Sequence, residues 1–309
     1  MRTYNFVIGT PVTLDGNVVN IQQKIDKSTN NAYQVKDSLQ IEFEIIKDNT
    51  DKANKAYVTV YNLSDPIINY LKTNLDQSLA GLIEAGYDGV NYQLFCGSIE
   101  YMEDRWDDKL ITRSTKFIFG DATQNLNKTK ANRAYRVGTP VSKVISDLVQ
   151  DLQLPLGRVV NVQGTLTASE SFSGNVASNL KRICTRYGAN FSVTDGAVYI
   201  DVQGKRFEEQ VLLISEDTGM IGSPSPKQPS MSKVAKAAQD ANKEDIGLEV
   251  KTMLYGPVIP TSTVYLKSKD YEGFYKCTKI VHNGSYEGGD WCSILTLVET
   301  TGTLVGGVS

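Results

Sequence analysis

The densest group of reactive side chains is the carboxylate cluster Glu100, Glu103, Asp104, Asp107 and Asp108. Paired carboxylates can serve as acid and base in glycoside hydrolysis, and several together can bind calcium. The spacing matches no EF-hand loop, and a carboxylate-rich stretch between two strand-like phrases, YQLFCGSI and LITRSTKFIFG, also describes a solvated hairpin tip. The single histidine, His282, precedes Asn283-Gly284 in another hairpin pattern. As a general base it needs a nucleophile within reach; Ser285 is near in sequence, but nothing around it resembles a nucleophile elbow. A structural or surface histidine is the simpler reading. Cys96, Cys184, Cys277 and Cys292 form no C-x-x-C pair and sit among apolar neighbours. They read as small buried hydrophobes kept reduced, with a Cys277 to Cys292 hairpin bridge as the alternative. A lone histidine and dispersed cysteines lack metal-ligand spacing. No phosphate-binding glycine motif occurs, so no cofactor is expected and catalysis has little support. Lys128, Lys130, Arg133 and Arg136, and Lys181, Arg182 and Arg186, read as exposed faces. A net charge of -3 gives no overall drive toward phosphate backbones.

The elements that must position these groups are mostly strands. The run from Tyr57 to Asp121 reads as a β-meander, with Gly86, Gly89 and Gly97 at or inside its strands, where a missing Cβ permits a bulge or corner. A small barrel or strongly bent sheet follows. Upstream, strands are expected at residues 4–8 and 17–22, a polar loop at 26–36, and an amphipathic strand at 39–46. In that strand Leu39, Ile41, Phe43 and Ile45 alternate with Gln40, Glu42 and Glu44. After a strand at 57–63, Ser64 or Asp65 can cap a helix with Pro66 at its first position, lined on one side by Ile67, Ile68, Leu71 and Leu75.

Past Asp121 the period changes, and a boundary is expected within 122–133. Thr139-Pro140 opens a helix with Val141, Val144, Ile145, Leu148, Val149 and Leu152 on one stripe, ended by Pro155 and Gly157. A second helix is expected at 175–187, stopped by Gly188, followed by a hairpin turning at Asp195-Gly196. A strand at 211–214 leads to Gly222-Ser-Pro-Ser-Pro, a pause in regular structure. Residues 231–245 read as an exposed helix or mobile insertion, and strands resume at 248–255, 263–267, 274–281 and 291–299. The small, polar tail 300–309 is expected to be ordered only by a neighbour. The class is mainly β with an α+β middle domain. The expected division of the 309 residues is 1–125, 126–208 and 209–309, with an insertion at 225–247. The phrase from Cys96 to Trp106 is loosely echoed from Cys277 to Trp291, as two related β-modules at the two ends would leave. No uninterrupted apolar run has signal-peptide or membrane-span length, so synthesis in the cytosol is expected.

The ordered set VTVYNLS, IEAGYDG, LFCGSIEYMEDRWDD and TKFIFGDA resembles the first domain of baseplate hub proteins of long-tailed, contractile-tailed bacteriophages, the late control protein D-like family. GTPVSKVISDLVQDLQLPLG resembles the family's helix after the first barrel. DTGMIGSPSP and TMLYGPVIPTSTVYLKS resemble its entry into the second, and KIVHNGSYEGGDWCSILTLVE its closing hairpin. The resemblance touches all three parts. Residues 225–247 are longer than the connector it leads one to expect, and nothing resembles a muramidase segment. It implies two tube-protein-like β-barrels joined by a small helix-containing domain, in a non-enzymatic homotrimer. Such a ring adapts a six-fold tail tube to a three-fold spike and forms part of the DNA ejection channel. The implied partners are tail tube protein above and spike protein below, with tape-measure and wedge proteins nearby and DNA in transit. The implied location is the virion baseplate, assembled in the host cytoplasm. Members of the cluster Glu100, Glu103, Asp104, Asp107 and Asp108 are expected to face the bore, where negative walls repel phosphate. The rival readings are a tailocin or type VI secretion-like hub, and a tail-associated carbohydrate-binding or hydrolytic β-protein.

Overall fold

Ile41, Phe43 and Ile45 are buried while Glu42 and Glu44 between them face water, the alternation of a strand covered on one side. The computed structural model describes residues 1–9, 32–77, 79–107, 111–159, 162–202, 211–227 and 247–299. Asp108 and the segments expected at 17–22, 231–245 and 300–309 lie outside the described residues.

The N-terminal part comprises β1 (Arg2–Gly9), β2 (Ala32–Lys36), β3 (Ile41–Asp48), β4 (Lys55–Tyr61), α1 (Asp65–Thr73), β5 (Ala80–Tyr87), β6 (Val90–Trp106) and β7 (Arg113–Gly120). Its strands run in the spatial order 3-4-7-6-5-1-2 around a core that includes Tyr4, Phe6, Phe43, Val58, Phe117 and Phe119. The long β6 pairs with β5 up to Ser98 and with β7 from Ser98 onward, with a register shift on each side. Gly97 lies at the changeover, where a Cβ would sit 2.6 Å from the Gly120 carbonyl oxygen.

The middle part comprises α2 (Thr123–Lys128), β8 (Lys130–Tyr135), α3 (Val141–Leu152), β9 (Leu156–Val159), β10 (Glu170–Asn175), α4 (Val176–Arg186), β11 (Ala189–Thr194) and β12 (Ala197–Val202). The apolar stripes of α3 and α4 share one core with Phe172, Phe191 and Ile200 from the small sheets 10-8 and 11-12-9. Asn175 caps α4 by accepting from the Ser178 backbone N–H, as an N-cap asparagine should.

The C-terminal part comprises β13 (Val211–Ser215), β14 (Ser225–Pro226), β15 (Leu248–Met253), β16 (Thr263–Lys267), β17 (Glu272–Ser285) and β18 (Trp291–Glu299). Its strands run 14-15-18-17-16-13 around Val250, Val264, Leu266, Ile280, Leu295 and Leu297. The fold is mainly β, with a curled sheet at each end and the helix-containing part between. The two sheets are continuous: β17 pairs antiparallel with β3, Lys279 opposite Asp48 through Ser285 opposite Glu42. Among the described residues this makes one 13-stranded sheet.

Two local expectations need correction. Residues 32–36 are not loop but strand β2, because Tyr33 and Val35 lie opposite Ile8 and Phe6 and supply the apolar face that two residues in a polar stretch barely advertise. Leu75 does not line α1: the helix ends at Thr73, Asn74 bonds back to the Tyr70 carbonyl, and Leu75 is exposed. Ser64 holds the N-cap position without a side-chain hydrogen bond. All four cysteines are free; Cys277 stands opposite Leu297 and Cys292 opposite Asn283, too far apart in register for a bridge. No described helix is long and apolar enough to cross a membrane.

Candidate functional site

Strand alternation splits the acidic cluster between two faces. Glu103 stands opposite Lys116 on the outer face of the sheet and Asp104 opposite the buried Thr115. Asp104 accepts from Arg113 Nε at 2.8 Å and Nη2 at 2.7 Å and from Lys72 Nζ at 3.0 Å. The Arg113 fork, with help from Lys72, holds the Asp104 carboxyl down at about 2. Arg113 also reaches Asp65 in the first turn of α1 at 2.5 Å and lies over the Trp106 ring, so the hairpin is tied to that helix. Glu100 is bound by Lys55 and by Thr123 Oγ1, and Glu103 pairs with Arg105. Asp107 accepts from the Ile111 backbone N–H at 2.7 Å. Charge pairing on opposite faces is not the arrangement of an acid and base flanking one substrate. Among the described residues no group of three or more His, Cys, Asp or Glu could hold a metal ion.

His282 is fully buried at the β17–β3 seam, with Nδ1 2.8 Å from Ser293 Oγ. Burial, with the nearby Lys47 charge, pushes its imidazole down to about 3, so the neutral form is the stable one at physiological pH. Its partner is Ser293 across the β17–β18 ladder rather than Ser285. The two tryptophans of the sequence echo differ as well. Trp106 is 52% exposed, whereas Trp291 is 5% exposed and belongs to the N-terminal core although it lies on β18. Trp291 Nε1 donates to the Gly86 carbonyl at 3.0 Å, and its ring meets Phe43 edge-on at 5.3 Å. On the outer face of the seam an open groove of about 360 Å³ is lined by Glu42, Glu44, Tyr57, Asn283, Ser285 and Asp290 among others.

The inner side of the seam holds a polar joint with the middle part. Lys47, 2% exposed, donates to both carboxylate oxygens of Asp195 at 2.8 and 2.6 Å. Asp121 accepts from the Asn54 backbone N–H at 2.7 Å, Asn54 Nδ2 at 2.9 Å and the Asp195 backbone N–H at 2.9 Å. Asn54 Nδ2 also donates to the Val193 carbonyl at 2.8 Å. Burial pushes the Asp121 carboxyl up to about 7, aided by the Asp195 charge and opposed by Asn54 and Lys47. Asp195 at φ 50° and Gly196 at φ 74° make the tight β11–β12 turn that presents this carboxylate. At the hairpin's other end, the buried Asp201 pairs with Lys276 of β17. These residues were not evident as a site in the sequence, yet a signal exists. Lys47 continues the buried phase Ile41, Phe43, Ile45, and Asp121 the buried phase Phe117, Phe119, where a charge requires a partner. Several of the basic residues expected on exposed faces are paired there. Arg133 grips Asp151, Lys181 meets Asp51, and Arg186 meets Glu170.

No protein-family model matches the chain, and no curated protein matches it. Solved structures do. The 43 kDa tail protein of prophage MuSo2 from Shewanella oneidensis is 10% identical, with TM-score 0.62 over 96% of this chain and 97% of that one. A tail protein from Neisseria meningitidis MC58 is 13% identical, with TM-score 0.55 over 85% and 96%. The E. coli c3393 protein, a type VI secretion component similar to T4 tail proteins gp27 and gp5, is 10% identical, with TM-score 0.58 over 87% and 75%. The chain has the fold shared by these phage tail and type VI proteins.

Proposed function

We propose that the protein is a structural hub subunit of a phage tail baseplate. Three copies form a ring that joins the six-fold tail tube to a three-fold spike and frames part of the DNA ejection channel. The observation that carries this reading is the pair of curled sheets, one at each end of the chain, fused edge to edge by β17 and β3. Three such subunits set six curled sheets around one axis, which lets a single polypeptide face both symmetries. The fold likeness to tail proteins supports it, because the MuSo2 match spans nearly the whole of both chains. The three cores correspond in this proposal to the domains 1–125, 126–208 and 209–309, with Leu254 and Trp291 of the last reaching into the first core. Binding and force transmission, without turnover, are the activity; tube, spike, tape-measure and wedge proteins are the partners, and the virion tail is the location.

Glu103 is the member of the acidic cluster assigned to the bore, since it lies on the outer sheet face, while Asp104 is held by Arg113 and Lys72. Replacing Glu103 with lysine in assembled virions is expected to slow genome ejection; unchanged ejection from intact particles contradicts the assignment. A type VI or tailocin hub is the second reading, favoured by the match to the E. coli type VI component. The proteins co-purifying with the assembled ring separate the two, a DNA-filled tail against a secretion apparatus. Light scattering over a concentration series, alone and with tube protein, tests the proposal; a mass of three subunits supports it, and a monomer under both conditions contradicts it.

A further inference from the structure

We propose that the β11–β12 hairpin is a clamp across the β17–β3 seam, with Asp195 and Asp201 as positioning residues that fix how the two β-modules sit against each other. The hairpin spans the joint between two strands that belong to different ends of the chain. Its tip, Asp195, binds Lys47 on β3; its far end, Asp201, binds Lys276 on β17. Those are the strands that pair at the seam, where Lys47 stands opposite Ile280. Further hydrogen bonds hold the tip, from Asn54 Nδ2 to the Val193 carbonyl and from the Asp195 backbone N–H to Asp121.

The burial of these groups is what makes the contacts a clamp. Lys47 and Asp201 are each 2% exposed, and apart from Lys276 neither carboxylate oxygen of Asp201 has a hydrogen-bond partner among the described residues. An ion pair on an exposed surface can separate at little cost, whereas removing one partner of a buried pair leaves a charge that water cannot reach. Any hinge motion that drew β3 or β17 away from the hairpin would strand Lys47 or Asp201 in this way. The middle part, inserted between the two sheets in the chain, thereby sets their angle. This geometry holds whether or not the protein assembles into a ring.

Amide hydrogen exchange on the full-length protein at neutral pH tests the clamp, comparing the wild type with Asp195→Asn, Asp201→Asn and the double variant. Asp195→Asn keeps the backbone donor to Asp121 and removes the charge that faces both Lys47 and Asp121. In the double variant, exchange across residues 42–48 and 279–285 is expected to rise by about tenfold or more, with β5 and the first half of β6 as protected as before. If the double variant does not fold, Asp195→Asn alone carries the same comparison. Unchanged exchange at the seam overturns the proposal, as does a uniform rise over all strands, which marks plain loss of global stability. Neither readout depends on oligomer formation, so this result and the mass measurement fail or succeed separately.

Discussion

Truncating Trp291 measures how strongly the C-terminal part is anchored in the N-terminal core. The ring is 5% exposed, lies edge-on to Phe43 at 5.3 Å, and donates its N–H to the Gly86 carbonyl at 3.0 Å. Replacing a core tryptophan with alanine costs about 3–5 kcal/mol. The Gly86 carbonyl left without its buried donor adds about 1 kcal/mol. Against the ~5–15 kcal/mol stability of an ordinary domain, Trp291→Ala therefore removes a large fraction. Trp106→Ala is the internal comparison: that ring is 52% exposed, and its loss, with the Arg113 contact, costs about 1 kcal/mol. Urea unfolding followed by circular dichroism, with midpoint and slope fitted for each variant, gives both values. Should Trp291→Ala be too unstable to purify, Trp291→Phe keeps a ring and loses only the donor, at about 1–3 kcal/mol. Equal costs for the two alanine variants, or less than about 1 kcal/mol for Trp291→Ala, refute the reasoning that this side chain joins the two parts.

Two further outcomes concern pH. The Asp121 carboxyl is raised in the folded protein to about 7, so its stabilising contribution is fully present below the ordinary carboxylate value and is lost as pH rises through about 7. Asp121→Asn should therefore flatten the fall in stability between pH 5 and pH 8, an effect of up to about 3 kcal/mol, and parallel profiles count against it. Asp104 is lowered to about 2 by Arg113 and Lys72, so its contribution is present above the ordinary carboxylate value and lost as pH falls through about 2. Asp104→Asn should weaken the protein at pH 7 and remove part of the acid-limb loss below pH 4; an unchanged acid limb contradicts the Arg113 contact as its cause.

Where side-chain period and turn chemistry act locally, the chain is readable. The Ile41, Phe43, Ile45 alternation gives β3, the stripe from Val141 to Leu152 gives α3, and Asp195-Gly196 gives the β11–β12 turn. Tyr33 and Val35 failed to announce β2 because their pairing with β1 is decided by partners rather than by propensity. The seam was hidden for a related reason. Nothing near Ile46 or Val281 states that they lie opposite one another, and Lys47 and Asp195 meet across 148 positions. The acidic cluster is a run of charge in the sequence, but only Arg105, on Glu103, is supplied from within it; the other cations are Lys55, Lys72 and, beyond the turn, Arg113. The more informative signal was a lysine in the buried phase of a strand, since such a charge requires a counter-ion.

The central claim is that two fused sheets per chain build a ring with twice as many curled sheets as subunits. Electron microscopy of the protein assembled with the proposed partners, tail tube and spike proteins, tests this most directly. Class averages along the tail axis are expected to show three copies arranged as six β-rich lobes around an open bore. A single copy on the axis, six copies in the ring, or lobes with no central opening contradicts the account.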